Sequence, residues 1–323
     1  MVEAKKLDKP HDSLCNELFS NRKLADAFLR EHLPRKITAL LKKGALPELV
    51  GGNFVEPGAR RLQADVLCRV PLKSGAADYH YFLIEHKSWP DQDVLVQLSR
   101  YQLGIWRRYA EEDESGKQVL PPITPLVVYH GEQPWNVPRS FRETVKNGDK
   151  IPYSGLDFSY QLVDLTSIPH EDLSGNRELQ AVLGALRGFG RQEEGKAKMV
   201  DIIKALSANR GLEEFVFHYI VGTWKLDHVE INQLINATKR GGEIMNSFVA
   251  TLAKKYLAEG RAEGEAKGEI KTLKHQVQVR FGSVPQDVDV RIDQASPEEI
   301  RGWAERILTA ASLEEMFASP SNR

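Results

Sequence analysis

The chain has 323 residues, with 41% hydrophobic and 28% charged, enough apolar side chain for one large domain or two ordinary ones without disulfide support. Its formal net charge of −1 offers no global attraction for nucleic acid, so any DNA contact needs a local basic surface or bound cations. Two cysteines, Cys15 and Cys68, are too few for a disulfide framework. The first fourteen residues lack the apolar segment of a secretory signal, and no apolar run is long enough to span a membrane. These features point to a cytoplasmic protein with no membrane association.

The elements follow in chain order. Helical spacing runs over 12–43, with Asp12 as the expected first N-cap and Ser20–Asn21 as a second start. Pro34 interrupts it. Gly44, Pro47, Gly51 and Gly52 mark turns. Three strands are expected next: around 48–55, over 61–70, and over 79–87. The break 73–78, with Gly75, suits a hairpin between the last two. A helix starts at Pro90–Asp91, with Leu95, Leu98, Gln102, Ile105 and Tyr109 along one side. Residues 123–130 read as a buried strand, and 159–165 as one more. From residue 176 the periodicity is almost wholly helical, over 176–188, 194–208, 211–222, 228–239 and 243–281.

This order predicts an α/β fold: a mixed sheet flanked by helices, followed by a mainly helical C-terminal region. The expected division is a core at 8–175, a helical extension at 176–250, a Gly/Ala/charged helical linker at 251–281 and a small helical module at 282–323. Gly260, Gly264 and Gly268 recur every four residues on one stripe. Three interior glycines weaken a helix. Two readings stay open: a smooth ridge for a helix of a second copy, giving a homo-oligomer, or a flexible charged linker. Near the C-terminus, Ser296-Pro297 with Glu299 forms a capping-box pattern, and Ser312 with Glu315 repeats it.

The chemistry concentrates at the second and third strands. Asp65 interrupts an apolar alternation and points away from Leu62, Ala64, Val66 and Cys68. On the next strand Tyr79, Tyr81, Leu83, Glu85 and Lys87 share a face by period two, and His86 turns away. Pairing of the strands would bring Asp65 to Glu85 and Lys87. Two carboxylates can hold Mg²⁺ through hard oxygen ligands, and a lysine can orient or deprotonate water. On the following helix Gln97 and Tyr101 are neighbours one turn apart. They resemble the QxxxY motif that lines the site in RecB-type nucleases. Arg100, Arg107 and Arg108 are candidates for DNA phosphates. Nine histidines are scattered without an HExxH pattern, and no CxxC exists, so zinc has little support.

Several segments occur in a recognisable order: His11-Asp12, FLREHLP at 28–34, NFVEP at 53–57, LIEHKS at 83–88, RYQLGIWRRY at 100–109 and PLVVYHGEQPW at 125–135. Together they resemble the recombination-promoting nuclease family, also known as YhgA-like transposases, over roughly residues 8–240. That resemblance implies a PD-(D/E)xK nuclease fold and a Mg²⁺-dependent DNA endonuclease, with Mn²⁺ able to substitute. It also implies roles in recombination, mobile elements or phage defence. By matching positions it assigns catalysis to Asp65, Glu85 and Lys87 and metal binding to Asp65 and Glu85. Asp12 matches the opening His-Asp pair as a supporting residue, and Glu17 is its rival on the same helix.

Overall fold

The computed structural model describes residues 9–51, 53–55, 61–74, 79–112, 119–148, 150, 152, 155–238, 258, 264 and 268–317. Residues 53–55, 61–63 and 112 are described for their backbone alone. The expected hairpin tip around Gly75, the acidic run after residue 112, Gly260 and most of the linker before residue 268 lie outside the described residues. The chain divides into two compact units, residues 1–249 and 250–323.

The first unit is built on a five-stranded mixed sheet in the order β1-β4-β5-β6-β7. Its strands are β1 (Glu48–Leu49), β4 (Val66–Pro71), β5 (Tyr79–Lys87), β6 (Ile123–Tyr129) and β7 (Gln161–Asp164). A separate ribbon pairs β2 (Asn53–Val55) with β3 (Arg61–Gln63). β4 runs antiparallel to β1 and β5, whereas β5, β6 and β7 are parallel. The expected strand 61–70 is therefore two strands. The chain bends at Ala64–Asp65, and Ala64 joins Leu67 in one apolar cluster, not Val66 and Cys68 as continuous alternation required.

Helix α4 (Val94–Glu112) crosses between parallel β5 and β6 and covers one face of the sheet. Val94, Leu95, Leu98, Tyr101 and Ile105 pack with Leu67, Tyr81, Leu83 and Val127. Helix α1 (Pro10–Ser20) packs on β4 and β5, burying Leu14, Cys15, Leu18 and Phe19. The expected cap at Asp12 is corrected here: Lys9, in a left-handed conformation, precedes the helix, and Pro10 occupies the first turn. Proline suits that position because it needs no amide donor there. Asp12 is thereby freed to face the sheet. Asn21 caps α2 (Arg22–His32) as expected, accepting from Lys23 N and Leu24 N. After Pro34 only one turn forms, α3 (Arg35–Thr38); a short helix, α5 (Phe141–Thr144), follows β6.

Helices α6 (Arg177–Gly190), α7 (Gln192–Ala205), α8 (Arg210–Thr223) and α9 (His228–Thr238) complete the unit. α6 and α8 both pack on α1. In the second unit, the helical residues 268–281 (α10), α11 (Gln286–Asp293), α12 (Pro297–Arg306) and α13 (Leu313–Phe317) enclose Leu273, Val277, Ile292, Ile300, Trp303 and Met316. The capping box at Ser296–Glu299 is formed in both directions.

One close approach ties α6 to the strand ends. A Cβ on Gly190 would lie 2.4 Å from the Gly131 carbonyl oxygen and 2.6 Å from that of His130. Both obstacles are backbone, so neither can swing aside. Gly190→Ala is expected to destabilise the first unit by about 1–3 kcal/mol through overpacking. Urea denaturation followed by circular dichroism checks this.

Candidate active site

The register Val66↔Ile84 and Leu67↔Leu83, extended by one residue, sets Asp65 opposite Glu85. The Asp65 amide N–H donates to Glu85 Oε1 at 3.3 Å. The Asp65 carboxylate does not lie flat on the Glu85–Lys87 face. It turns at the bend so that Oδ2 accepts from the His86 amide at 3.0 Å and meets His86 Nδ1 at 2.8 Å. The ring contact is close but poorly aligned, so it acts as an electrostatic contact more than as a directed hydrogen bond.

Glu85 is 1% exposed, beneath α4. Gln97 Nε2 donates to Glu85 Oε2 and to the Tyr101 hydroxyl, both at 3.0 Å, and Gln97 Oε1 accepts from Lys87 Nζ at 2.8 Å. That amide orientation is the consistent one, since lysine only donates and a carboxylate only accepts. Lys87 Nζ also donates to Asp91 Oδ2 at 2.8 Å and lies 3.8 Å from Glu85 Oε2. The sequence-predicted Asp65, Glu85, Lys87, Gln97 and Tyr101 are thus one connected group.

The two carboxylates titrate apart. Burial pushes Glu85 well up, and the neighbouring Asp65 charge adds to this against Lys87. Burial also acts upward on Asp65, but the His86 ring, the His86 amide and Lys87 together hold it below its ordinary value. Such separation is what two carboxylates in unlike surroundings show. Burial raises Tyr101 to about 12, with Glu85 contributing, so the phenol stays protonated at neutral pH. Asp91 is held low: burial opposes ionisation, but Lys87 and the Asp93 amide outweigh it.

The remaining candidates divide. Asp12 Oδ1 reaches His86 Nε2 at 3.2 Å. Asp12 therefore reaches the site through His86. Arg107 is exposed and paired to Glu111 at 3.0 Å, and Arg108 donates to the Gly51 carbonyl at 2.7 Å. Both lie roughly 15 Å along α4 from Gln97. Arg100 is half-buried one residue before Tyr101. Sequence reasoning missed two participants. Asp91 was read only as a helix start, although its spacing of four from Lys87 was a signal. His86 was set aside because it alternates away from Glu85.

Asp65 and Glu85 offer hard oxygens of the kind Mg²⁺ takes. Burial first, and the Asp65 charge after it, raise Glu85, and a dication at the pair would oppose both. Among the described residues no group of three or more His, Cys, Asp or Glu is arranged to hold a metal. A two-carboxylate site completed by water and phosphate is the ordinary Mg²⁺ arrangement.

The family model "Putative transposase, YhgA-like" matches residues 9–214. The chain belongs to this family. Among its relatives, Recombination-promoting nuclease RpnA of Escherichia coli (strain K12) is 26% identical over 263 residues, covering 80% of this chain and 87% of that one. Recombination-promoting nuclease RpnD of Escherichia coli O157:H7 is 28% identical over 188 residues, covering 57% and 69%. The Inactive recombination-promoting nuclease-like protein RpnE of Escherichia coli (strain K12) is 24% identical over 264 residues, covering 80% and 85%. No solved structure matches the chain. No helix among the described residues is long and apolar enough to cross a membrane.

The raised Glu85 has a consequence for stability. A carboxyl that binds its proton more tightly folded than unfolded contributes stability that is present at acid pH and lost as pH rises through the folded value. Without divalent cation, Glu85→Gln is expected to raise the melting temperature at pH 8 and to flatten its decline between pH 5 and pH 8. The gain is a few degrees, since 1 kcal/mol corresponds to about 2–4 °C in a unit of this size. Melting curves across that pH range, in chelator, provide the measurement.

Proposed function

We propose that the chain is a Mg²⁺-dependent DNA endonuclease that hydrolyses phosphodiester bonds. The observation that carries this reading is the convergence of Asp65, Glu85 and Lys87 at the ends of β4 and β5, with Gln97 joining Glu85 to Lys87. Membership of the family, and relatives named as recombination-promoting nucleases, support it.

Asp65 and Glu85 would hold the cation. A bound Mg²⁺ supplies positive charge for the phosphate and acidifies water. Lys87, steered by Asp91 and Gln97, presents its ammonium beside Glu85 to orient water and to stabilise negative charge developing on phosphate oxygens. Tyr101 keeps Gln97 in line from beneath. Arg100, Arg107 and Arg108 of α4 are candidates for backbone phosphates, and residues 250–323 for a homo-oligomer contact. Buried free thiols at Cys15 and Cys68 suit a reducing, cytoplasmic setting.

A second reading is favoured by the relative named inactive: the same fold serving as a DNA-binding module without catalysis. One assay separates the two. Purified protein with supercoiled plasmid and Mg²⁺ or Mn²⁺ is expected to nick or linearise DNA. Lys87→Ala is expected to lower the rate by about 10²–10⁴-fold, the range for loss of a group that handles protons, and Asp65→Ala to abolish metal-dependent cleavage. Equal cleavage by all three proteins sinks the enzyme reading. Intact DNA binding without metal binding by the wild type favours the second.

A further inference from the structure

His86 lies on the face of β5 opposite Glu85 and Lys87, and it is fastened there from both sides. Its Nε2 is 3.2 Å from Asp12 Oδ1 on α1, and its Nδ1 is 2.8 Å from Asp65 Oδ2. Its amide donates to that same Asp65 oxygen. The side chain is 10% exposed. Asp65 itself stands in a bend outside the β4 ladder, so neighbouring strand residues do not lock its carboxylate.

The ring has a built backing. His130, fully buried at the end of β6, stacks on it at 6.1 Å with planes within 10°. His130 meets His11 at 4.9 Å and Phe189 at 5.9 Å, and His11 Nδ1 is 2.9 Å from the Tyr219 hydroxyl. Neither ring nitrogen of His130 finds a hydrogen-bond partner among the described residues. Burying an imidazole unpartnered is costly, and the ring lies among those of His86, His11 and Phe189. Elements α1, β5, β6, α6 and α8 therefore all bear on the placement of one ring.

We propose that His86 is a positioning residue for the metal-holding carboxylate Asp65, with Asp12 acting through His86 from α1. This rests on the proposed function and assigns an outer support to that site. An outer partner of this kind orients the ligand ahead of the cation, and its loss typically weakens metal affinity or activity about 10–100-fold.

Mn²⁺ binding to the full chain, measured by isothermal titration calorimetry, tests this with His86→Gln, Asp12→Asn and the double variant. Plasmid cleavage and melting temperature are followed beside it. His86→Gln is expected to weaken Mn²⁺ binding about tenfold or more, lowering kcat with KM for DNA unchanged. Asp12→Asn should lose less. The double variant should be no worse than His86→Gln alone, because among the described residues Asp12 meets Asp65 through the ring. Asp12 is 36% exposed, so its variant keeps the test alive if His86→Gln unfolds. Unchanged Mn²⁺ affinity in folded variants of a wild type that binds and cleaves overturns the positioning role alone. So do losses that add, or that only track melting temperature. A wild type that neither binds Mn²⁺ nor cleaves overturns the nuclease reading and this proposal with it.

Discussion

Two carboxylates are forced together by backbone register, and the site is organised around their repulsion. The register of β4 with β5, continued one residue past the ladder, sets Asp65 opposite Glu85. Glu85 is fixed within β5, whereas Asp65 stands in the bend that precedes β4. The protein resolves the conflict by treating them unequally. Asp65 receives an amide, an imidazole and part of the lysine's field, and keeps its charge. Glu85 is sealed beneath α4, and burial raises its affinity for a proton. A cation placed between them would act against that preference.

The lysine is held by the same logic. Lys87 faces three acidic or amide acceptors, Glu85 on β5, Asp91 in the turn after it and Gln97 on α4. Asp91 does double service: one oxygen binds Lys87 and the other accepts from the Asp93 amide, shaping the entry to α4. The helix start and the lysine orientation are consequently one feature. α4 then carries Gln97 and Tyr101 back over the sheet, because residues four apart share a helix face.

Much of this was legible from covalent geometry. Period two put Glu85 and Lys87 on one face, and the four-residue spacing put Gln97 beside Tyr101. Local capping placed Asn21 and Ser296. What was illegible depended on distant parts of the chain. Leu62, Ala64, Val66 and Cys68 alternate as a straight strand would. Nothing local shows that the strand bends at Ala64–Asp65 and that Ala64 packs under α4. Asp12 has the chemistry of a helix cap, and only Pro10 at the first turn moves the start past it. His86 alternates away from the Glu85–Lys87 face, as period two requires. Its use became visible once α1 folded across β5 and brought Asp12 to it.

That dependence on α1 extends the site into the helical layer. α1 is held against the sheet by its own apolar stripe and against α8 by the His11–Tyr219 hydrogen bond, one residue before Asp12. The family match ends at residue 214, inside α8 and short of Tyr219. RpnA and RpnE nonetheless align over longer stretches, 263 and 264 residues. A helix that fixes the approach of α1 governs where Asp12 meets His86, and His86 governs Asp65. The helices after the sheet are therefore part of the frame that sets the carboxylate geometry. A change among them can alter that geometry while leaving Asp65, Glu85 and Lys87 in place in the sequence.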